Sequence, residues 1–462
     1  MPTDIGWIDG FVKSIAEYVY VRERDSLLIL LPNQAYRLNR SALSLLKDTL
    51  GGTGIADVLE ARSAGLSTDE SATRDVHAFF CDLRALVMGC LGEGRGRAAV
   101  EEVPFERPHN SLPVLSEIAL TYRCNLSCRF CYAGCRCKRE NSGPLASGVS
   151  GTRSRNTGTG GTAPHHGSRE MTTDQVKRIL DIIRYEAEVP SVSWTGGEPT
   201  LRDDLPELTE HATRIGMRVN LITNGTTLDA DLVSRLKESG LRSAQVSLEG
   251  ASADLHDAQT QVPGSFERTL NGIRLLKDAG LHVHTNTTVN RLNADHLPAI
   301  VRLVKEMGLD RLSMNMVIPC GSAADAEVTI SYTRMATIID EVKRSAREAG
   351  VEFMWYSPTP YCIYNPVAGR LGGKSCAACD GLLSVAPNGD VLPCSSLPRS
   401  VGNLLKTPFD KVWNGRKARY WRDKRYAHRI CRRCAQFDIC SGACPIYWRA
   451  MGYSELREVA AA

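Results

Sequence analysis

The chain has no long apolar run. Its most hydrophobic stretches, such as Leu27 to Leu31, hold five residues, where a membrane span needs about 20. Excess charge of either sign is equally scarce: a net +4 over 462 residues gives no strong field for nucleic acid or an anionic membrane surface. The first residues, Met1-Pro2-Thr3-Asp4-Ile5-Gly6, lack the basic region and apolar core of a secretory signal. These absences lead to the expectation of a cytoplasmic protein with neither nucleic acid nor membrane as partner. What is present is ordinary for a globular protein, at 43% hydrophobic and 23% charged residues, and the length suggests two or three domains. The cysteines depart from the ordinary. There are sixteen, seven of them between Cys376 and Cys444, and in a reducing compartment such clustering points to metal ligands before disulfides.

The densest chemistry lies in Thr121-Tyr122-Arg123-Cys124-Asn125-Leu126-Ser127-Cys128-Arg129-Phe130-Cys131-Tyr132. Three cysteines at C-x3-C-x2-C spacing follow a strand-like run, Leu115 to Leu120. Three thiolates hold three irons of a cubane cluster and leave the fourth open to a small molecule. Downstream, Thr195-Gly196-Gly197-Glu198-Pro199 sets a carboxylate on bare backbone, an arrangement suited to an ammonium group because glycine lets the main chain come close. From 115 onward strand and helix patterns alternate, which argues for βα units and a parallel sheet. The strands read as 115–120, 191–194, 218–223, 243–248, 282–288 and 311–318, with helices at 174–186, 205–215, 230–239, 266–279 and 295–307.

This combination, down to Tyr132 after the third cysteine, resembles the radical S-adenosylmethionine (radical SAM) superfamily. The resemblance implies an α/β fold, a partial (β/α)6 TIM-type barrel over 115–350, with working groups at the C-terminal strand ends. It implies a [4Fe–4S] cluster on Cys124, Cys128 and Cys131 whose open iron is chelated by the amino and carboxylate groups of SAM. One electron would then split SAM into methionine and a 5′-deoxyadenosyl radical that abstracts a substrate hydrogen. Carried over by motif, the SAM-binding positions are Tyr132, Gly196, Gly197, Glu198, Pro199, Asn224 of Thr223-Asn224-Gly225, Ser247 near the ribose and Val289 near the adenine. The family more often has Asp where this chain has Glu249. A zinc knuckle is the alternative for the three cysteines.

The C-terminal third, 351–462, holds Cys376-x2-Cys379, then Gly389 and Cys394, then Cys431-x2-Cys434-x5-Cys440-x3-Cys444. This array resembles the SPASM extension, which carries one or two auxiliary [4Fe–4S] clusters. By resemblance Cys376, Cys379, Cys394 and Cys444 bind the first, and Cys431, Cys434 and Cys440 the second. The cysteine that completes the second in the family lies beyond Cys444, and none follows here. Another side chain such as Cys362 completes it, an iron stays open, or the second cluster is absent. A zinc ribbon over Cys376, Cys379, Cys431 and Cys434 is the alternative.

The N-terminal region, 1–95, reads as a separate unit. Strands at 18–23 and 27–31 flank a turn, a third lies at 35–38, and Asn39 or Ser41 caps a helix that ends at Gly51-Gly52. Helical periods follow at 55–61 and 75–91. Strands followed by helices, with the junction Leu38-Asn39-Arg40-Ser41-Ala42, resemble the winged-helix-like PqqD peptide chaperones, which implies a leader peptide bound as an added strand. A linker, 96–114, follows. Residues 138–170, with Thr157-Gly158-Thr159-Gly160-Gly161-Thr162 and His165-His166, have little to bury and read as a flexible insertion. Cys135 and Cys137 fall outside the family signature as spare thiols, and Cys81, Cys90 and Cys320 read as buried ones.

Three functions follow. The first is a radical SAM maturase that modifies a ribosomally made peptide, with ferredoxin or flavodoxin as electron donor. The second is radical SAM chemistry on a tetrapyrrole or related cofactor. The third is an iron–sulfur carrier or scaffold, disfavoured by the Gly-Gly-Glu-Pro motif.

Overall fold

The structure, a computed structural model, describes residues 3–31, 34–63, 70–88, 111–135, 170–324 and 327–461. The linker from 96 to 110, Cys90, Cys137, His165-His166 and the insertion up to residue 169 lie outside the described residues. The chain forms two compact units, Met1–Leu115 and Ser116–Ala462.

In the first unit, helix α1 (Ile8–Ile15) precedes three strands, β1 (Val19–Arg22), β2 (Leu27–Leu30) and β3 (Gln34–Arg37). They form an antiparallel sheet in the order β1-β2-β3. Helices α2 (Arg40–Leu50), α3 (Ile55–Ser63) and α4 (Glu70–Val87) follow. The Asn39 side chain caps α2, its Oδ1 accepting from the Ala42 N–H at 2.8 Å. Central strand β2 is buried throughout. Its alternate residues serve two faces: Leu28 and Leu30 join Ile8, Val12, Leu46 and Phe80 in one core, while Leu27 and Ile29 pack with Val114. Helix α1 was absent from the sequence reading, which opened the unit at the first strand; Ile8, Val12 and Ile15 give it one buried stripe. Strand β3 is an outer strand with its end residues exposed. Arg22 is fully buried, pairs with Asp25 at 2.8 Å and donates to the Pro113 carbonyl at 2.6 Å.

The second unit is built on parallel strands β4 (Leu115–Thr121), β5 (Ser191–Gly196), β6 (Arg218–Thr223), β7 (Ser243–Ser247), β8 (His282–Val289), β9 (Arg311–Met316) and β10 (Glu352–Trp355). Each pairs in parallel with the next in sequence. Such a singly wound order keeps right-handed crossovers on one face and curls the sheet towards a barrel. The crossovers carry α5 (Thr173–Asp181), α6 (Leu205–Arg214), α7 (Ala230–Glu238), α8 (Ala253–Thr260), α9 (Ser265–Asp278), α10 (Leu297–Glu306) and α11 (Tyr332–Ala349). Two sequence expectations are corrected. There is a seventh parallel strand, β10, where the barrel was expected to have six and to stop at 350; four residues are too short to show a period. The helix expected over 174–186 ends at Asp181 and continues as a π-turn, Ile182–Glu186.

The sheet runs on beyond β4 into the C-terminal region, through β11 (Leu382–Val385), β12 (Asp390–Leu392) and β13 (Gly402–Asn403). Short helices complete it: α12 (Phe409–Trp413), α13 (Arg416–Arg422), α14 (Arg429–Arg432), α15 (Phe437–Cys440), α16 (Pro445–Met451) and α17 (Ser454–Ala461). Among the described residues no helix is long and apolar enough to cross a membrane.

Register divides the barrel sheet into two chemistries. Ile118, Val192, Trp194, Val219, Leu221, Ala244, Val246, Leu312 and Met314 share one face and are buried. The other face carries Ser193, Asn220, Ser243, Gln245, Ser247, His284, Asn286, Thr288, Ser313 and Asn315. The inner face is polar and the core lies outside it, under the helices. In the first unit, Arg22→Met leaves the Asp25 carboxylate with the Ser111 donors but without its cation, and is expected to lower the unfolding free energy by about 3 kcal/mol, measured by denaturant titration.

Candidate active site

The barrel's motifs, the cysteine loop and those at Gly196, Asn224, Ser247 and Val289, stand at the C-terminal ends of strands of this sheet. The cysteine loop leaves β4, and the loops from β5, β6, β7, β8 and β9 surround it. Its backbone is held from several sides. The Gly197 N–H donates to the Thr121 carbonyl at 2.7 Å and the Glu198 N–H to that of Arg123 at 2.9 Å. A Cβ on Gly196 would stand 2.2 Å from the Thr121 oxygen, and one on Gly197 2.2 Å from the Arg123 oxygen. The two glycines thus admit the cysteine loop itself, a tighter requirement than approach to a ligand. Tyr132 adds a hydroxyl bond to the Gly196 carbonyl at 3.2 Å. From below, the Ser127 and Arg129 N–H groups donate to the Thr260 and Gln259 carbonyls at the end of α8, both at 3.0 Å. From β9, the Ser322 N–H reaches the Cys131 carbonyl at 2.8 Å.

The three thiols of this loop are free and partly buried. Burial pushes Cys124 up to about 12 and Cys128 well above the ordinary thiol range; Glu198 and Cys131 raise Cys124 further, and Cys131 and Cys124 raise Cys128. Such shifts mean that desolvated thiols crowd one place, where charge is unfavourable unless a cation compensates it. Cys135, outside the family signature, is 1% exposed and hydrogen-bonds Cys131, which holds Cys131 below the usual range and pushes Cys135 above it. Cys320 is partly buried beside Cys131 and Ser396. Cys81, expected to be buried, is exposed on α4, one turn from His77.

Glu198 stands at the expected place with its carboxylate turned inward. It is 0% exposed. Oε1 accepts from the Thr200 hydroxyl at 2.6 Å and the Thr223 hydroxyl at 2.7 Å, and Oε2 from the Asn224 N–H at 2.8 Å. Burial raises its pKa against those bonds. The side chain therefore ties the β5 loop to the β6 loop. Pro199 opens the next short turn, where its missing N–H costs nothing. Asn224 donates to Asn125 Oδ1 at 2.9 Å, and Asn125 donates to the Thr226 hydroxyl at 2.7 Å. Ser247 lies on the polar face, in register with Asn286. Val289 is fully buried, and the adjoining Asn290 bonds Gln259 Oε1 at 2.8 Å. Glu249 is 2% exposed, accepts from the Thr288 N–H at 2.9 Å, and is pushed up to about 8 by burial.

Sequence reasoning missed Asn125, Thr226, Gln259, Thr260 and the whole of α8. A signal for α8 existed: Ser252 caps it, accepting from the Leu255 N–H at 3.4 Å. Its eight residues are too short and too evenly polar to show a period. His256 on this helix is 1% exposed, and its Nδ1 accepts from the Glu249 N–H at 3.2 Å.

Seven further cysteines and Cys362 fall into two groups. Burial raises Cys394, which has Cys376 and Cys444 beside it, and Cys444, which has Cys376 beside it; Cys379 also adjoins Cys376. Elsewhere Cys362 and Cys431, both raised by burial, have Cys434 and Cys440 beside them. Among the described residues no three His, Cys, Asp or Glu converge on a point that one metal ion fills. Thiolates around one zinc ion stand about 3.8 Å apart, given tetrahedral Zn–S bonds of ~2.3 Å. In a cubane each thiolate takes a different iron and stands further from the next. The donor sets, cysteine thiols throughout, are of the kind that iron–sulfur clusters take. Two cations serve the first group: Lys424 donates to the Cys376 carbonyl at 2.6 Å, and Arg422 to that of Cys379 at 2.9 Å.

Residues 118–304 match the radical SAM superfamily, and residues 376–435 the SPASM iron–sulfur cluster-binding domain. The AdoMet-dependent heme synthase of Methanosarcina barkeri is 30% identical over 59% of this chain and 82% of its own length. The chain belongs to the radical SAM superfamily. Other relatives within it are the AdoMet-dependent heme synthase of Oleidesulfovibrio alaskensis, 29% identical over 72% of this chain and 82% of that protein, and the PqqA peptide cyclase of Rhodopseudomonas palustris, 28% identical over the same shares. The fold is similar to crystal structures of Streptococcus suis SuiB, one bound to S-adenosylmethionine (TM-score 0.64, 18% identity, 93% of this chain and 96% of that one). Another is bound to its precursor peptide SuiA (TM-score 0.64, 16% identity, 93% and 95%). This radical SAM protein is an enzyme, with a [4Fe–4S] cluster that binds SAM and auxiliary iron–sulfur binding in its SPASM region.

Two outcomes follow from this geometry. Gly197→Ala pushes the cysteine loop away, and anaerobically reconstituted protein is expected to lose about four irons per chain. Gly10→Ala on α1, where a Cβ meets nothing within 4 Å, keeps them. His256 is held down to about 4 from 6.5 by burial. The folded state therefore binds fewer protons than the unfolded chain within that window, and stability falls as pH drops through it. The expected slope in cluster-free protein is up to ~1.4 kcal/mol per pH unit, and His256→Gln removes it.

Proposed function

We propose that this enzyme is a maturase that abstracts hydrogen from a peptide to install a post-translational modification. The observation that carries the reading is the chemistry of the barrel's inner face. It is lined by amides and hydroxyls, Ser193, Asn220, Gln245, Ser247, Asn286, Thr288 and Asn315, which match peptide N–H and C=O groups. Two arginines of this face, Arg311 and Arg218, stand at the opposite end of the strands, Arg311 paired with Glu352 at 2.7 Å. A tetrapyrrole carries carboxylates, which would call for unpaired cations in that space.

In this reading Cys124, Cys128 and Cys131 hold the SAM-binding cluster. Reduced by one electron, a cluster held there would supply the cleavage of SAM to methionine and a 5′-deoxyadenosyl radical able to take a hydrogen atom from the substrate. The protein's part is orientation and exclusion of water. Gly196, Gly197, Glu198 and Pro199 fix the loop that faces SAM, with Tyr132 clamping it. Asn224, Ser247 and Val289 contribute from the next strand ends. Glu198 acts as a positioning residue through its bonds to Thr200, Thr223 and Asn224. Cys376, Cys379, Cys394 and Cys444 hold one auxiliary cluster, and Cys431, Cys434 and Cys440 belong to a second. The N-terminal unit is PqqD-like and takes a leader peptide along β3, the outer strand of its sheet. A ferredoxin or flavodoxin supplies the electron in the cytoplasm.

The heme-synthase relatives, at 29% and 30% identity, favour a second reading, a tetrapyrrole substrate. One experiment separates the two. Reconstituted enzyme, dithionite and SAM are incubated with a deuterated peptide encoded beside the gene, or with iron coproporphyrin. Deuterium from the peptide is expected in 5′-deoxyadenosine, with a modified peptide by mass spectrometry. Consumption of the porphyrin with the peptide untouched would overturn the peptide reading.

A further inference from the structure

The four-cysteine run 431–444 splits between two sites, and the split has a visible cause. Cys440 ends α15, and Cys444 precedes α16. Between them Ser441, Gly442 and Ala443 all take left-handed backbone, at φ of 60°, 75° and 62°. For Ser441 and Ala443 that conformation is unfavourable and persists only where the surroundings impose it. It reverses the chain, so that Cys444 turns to Cys376 and Cys394 while Cys440 stays with Cys431 and Cys434. The first group then has four thiols and the second, counted from the run alone, has three.

An upstream segment brings a further cysteine beside this group. After β10 the chain turns at Pro360, whose carbonyl accepts from the Ile363 N–H at 2.9 Å and the Tyr364 N–H at 3.0 Å. The turn is fixed to the second group by its own backbone, the Tyr361 N–H donating to Cys440 Sγ at 3.4 Å. The next residue is Cys362. From the far side of the turn, the Lys374 N–H donates to the Tyr361 hydroxyl at 3.2 Å, which locks the segment in place. Cys362 and Cys434 are exposed, whereas Cys431 and Cys440 are buried, so the group lies with one side open to solvent.

We infer that Cys362 is the fourth ligand of the second auxiliary cluster, closing the set Cys431, Cys434 and Cys440 and leaving no iron of that cluster open. The inference rests on the proposed role of those three cysteines. It replaces a ligand from beyond Cys444 with one that precedes the whole array by sequence. The function of the second cluster narrows accordingly: with every iron capped by a thiolate, it can pass electrons and cannot bind substrate through iron.

The test uses the full-length protein, reconstituted anaerobically, with iron and sulfide quantitation, EPR of the reduced clusters and alkylation by iodoacetamide read by mass spectrometry. In the wild type, Cys362 is expected to resist alkylation despite its exposure and to react once iron is chelated away, while exposed Cys81 reacts in both states. Cys362→Ala is expected either to lose about four irons per chain or to give an EPR signal that shifts on adding 2-mercaptoethanol, a shift absent from the wild type. Cys362→Ser retains an oxygen donor and is expected to keep its iron with altered g-values. Free alkylation of Cys362 in the holoenzyme, or an iron content and EPR spectrum unchanged in both variants, overturns the inference. Cys431→Ala separates this from the underlying reading. If it loses about four irons and Cys362→Ala changes nothing, only the Cys362 assignment fails; if neither variant changes anything, there is no second cluster.

Discussion

Two backbones in near contact organise the active site. The loop after β5 donates two N–H groups to the carbonyls of Thr121 and Arg123, and the room for a Cβ on that side is nil. Because the cysteine loop has no regular structure of its own, its shape is inherited from what it leans on. Gly196 and Gly197 set its depth, the α8 carbonyls of Gln259 and Thr260 support its middle, and Ser322 holds its end. The thiols are thereby desolvated together, a costly arrangement that metal coordination repays, since a thiolate is the form that binds.

The same economy explains Glu198. A carboxylate in a loop at a strand end reads from the sequence as a ligand for a cation. Buried, with hydroxyl and backbone donors from Thr200, Thr223 and Asn224, it is first a cross-brace between two strand ends. Asn224, Asn125 and Thr226 extend that brace back to the cysteine loop. Such polar networks are stiff only when every member is satisfied, and this one links the segment that carries the thiols to the segments that would face SAM.

Much of this was legible in the sequence. Strand positions and strand ends were readable because six strands combine apolar outer residues with turn chemistry on either side. The cysteine and glycine motifs have spacings that few other chemistries need. What escaped lies in short elements and in long-range bonds. Helix α8 and strand β10 are too short to declare a period. The roles of Gly197 and Glu198 depend on what the fold brings against them, which spacing does not encode. The polar inner face of the barrel became visible only when register put Ser193, Asn220, Gln245 and Asn286 on one side of the sheet, and the physical cause of the expected division of Cys440 from Cys444 only in the left-handed backbone of Ser441 to Ala443.

The central claim is that Cys124, Cys128 and Cys131 bind a cluster whose fourth iron takes SAM. Electron–nuclear double resonance on the reduced protein, with SAM labelled by 15N in its amino group and 17O in its carboxylate, tests it most directly. Hyperfine coupling of both labels to a cluster signal that Cys128→Ala abolishes is the predicted result. A reduced cluster bound to that loop with no coupling to either label would contradict the account.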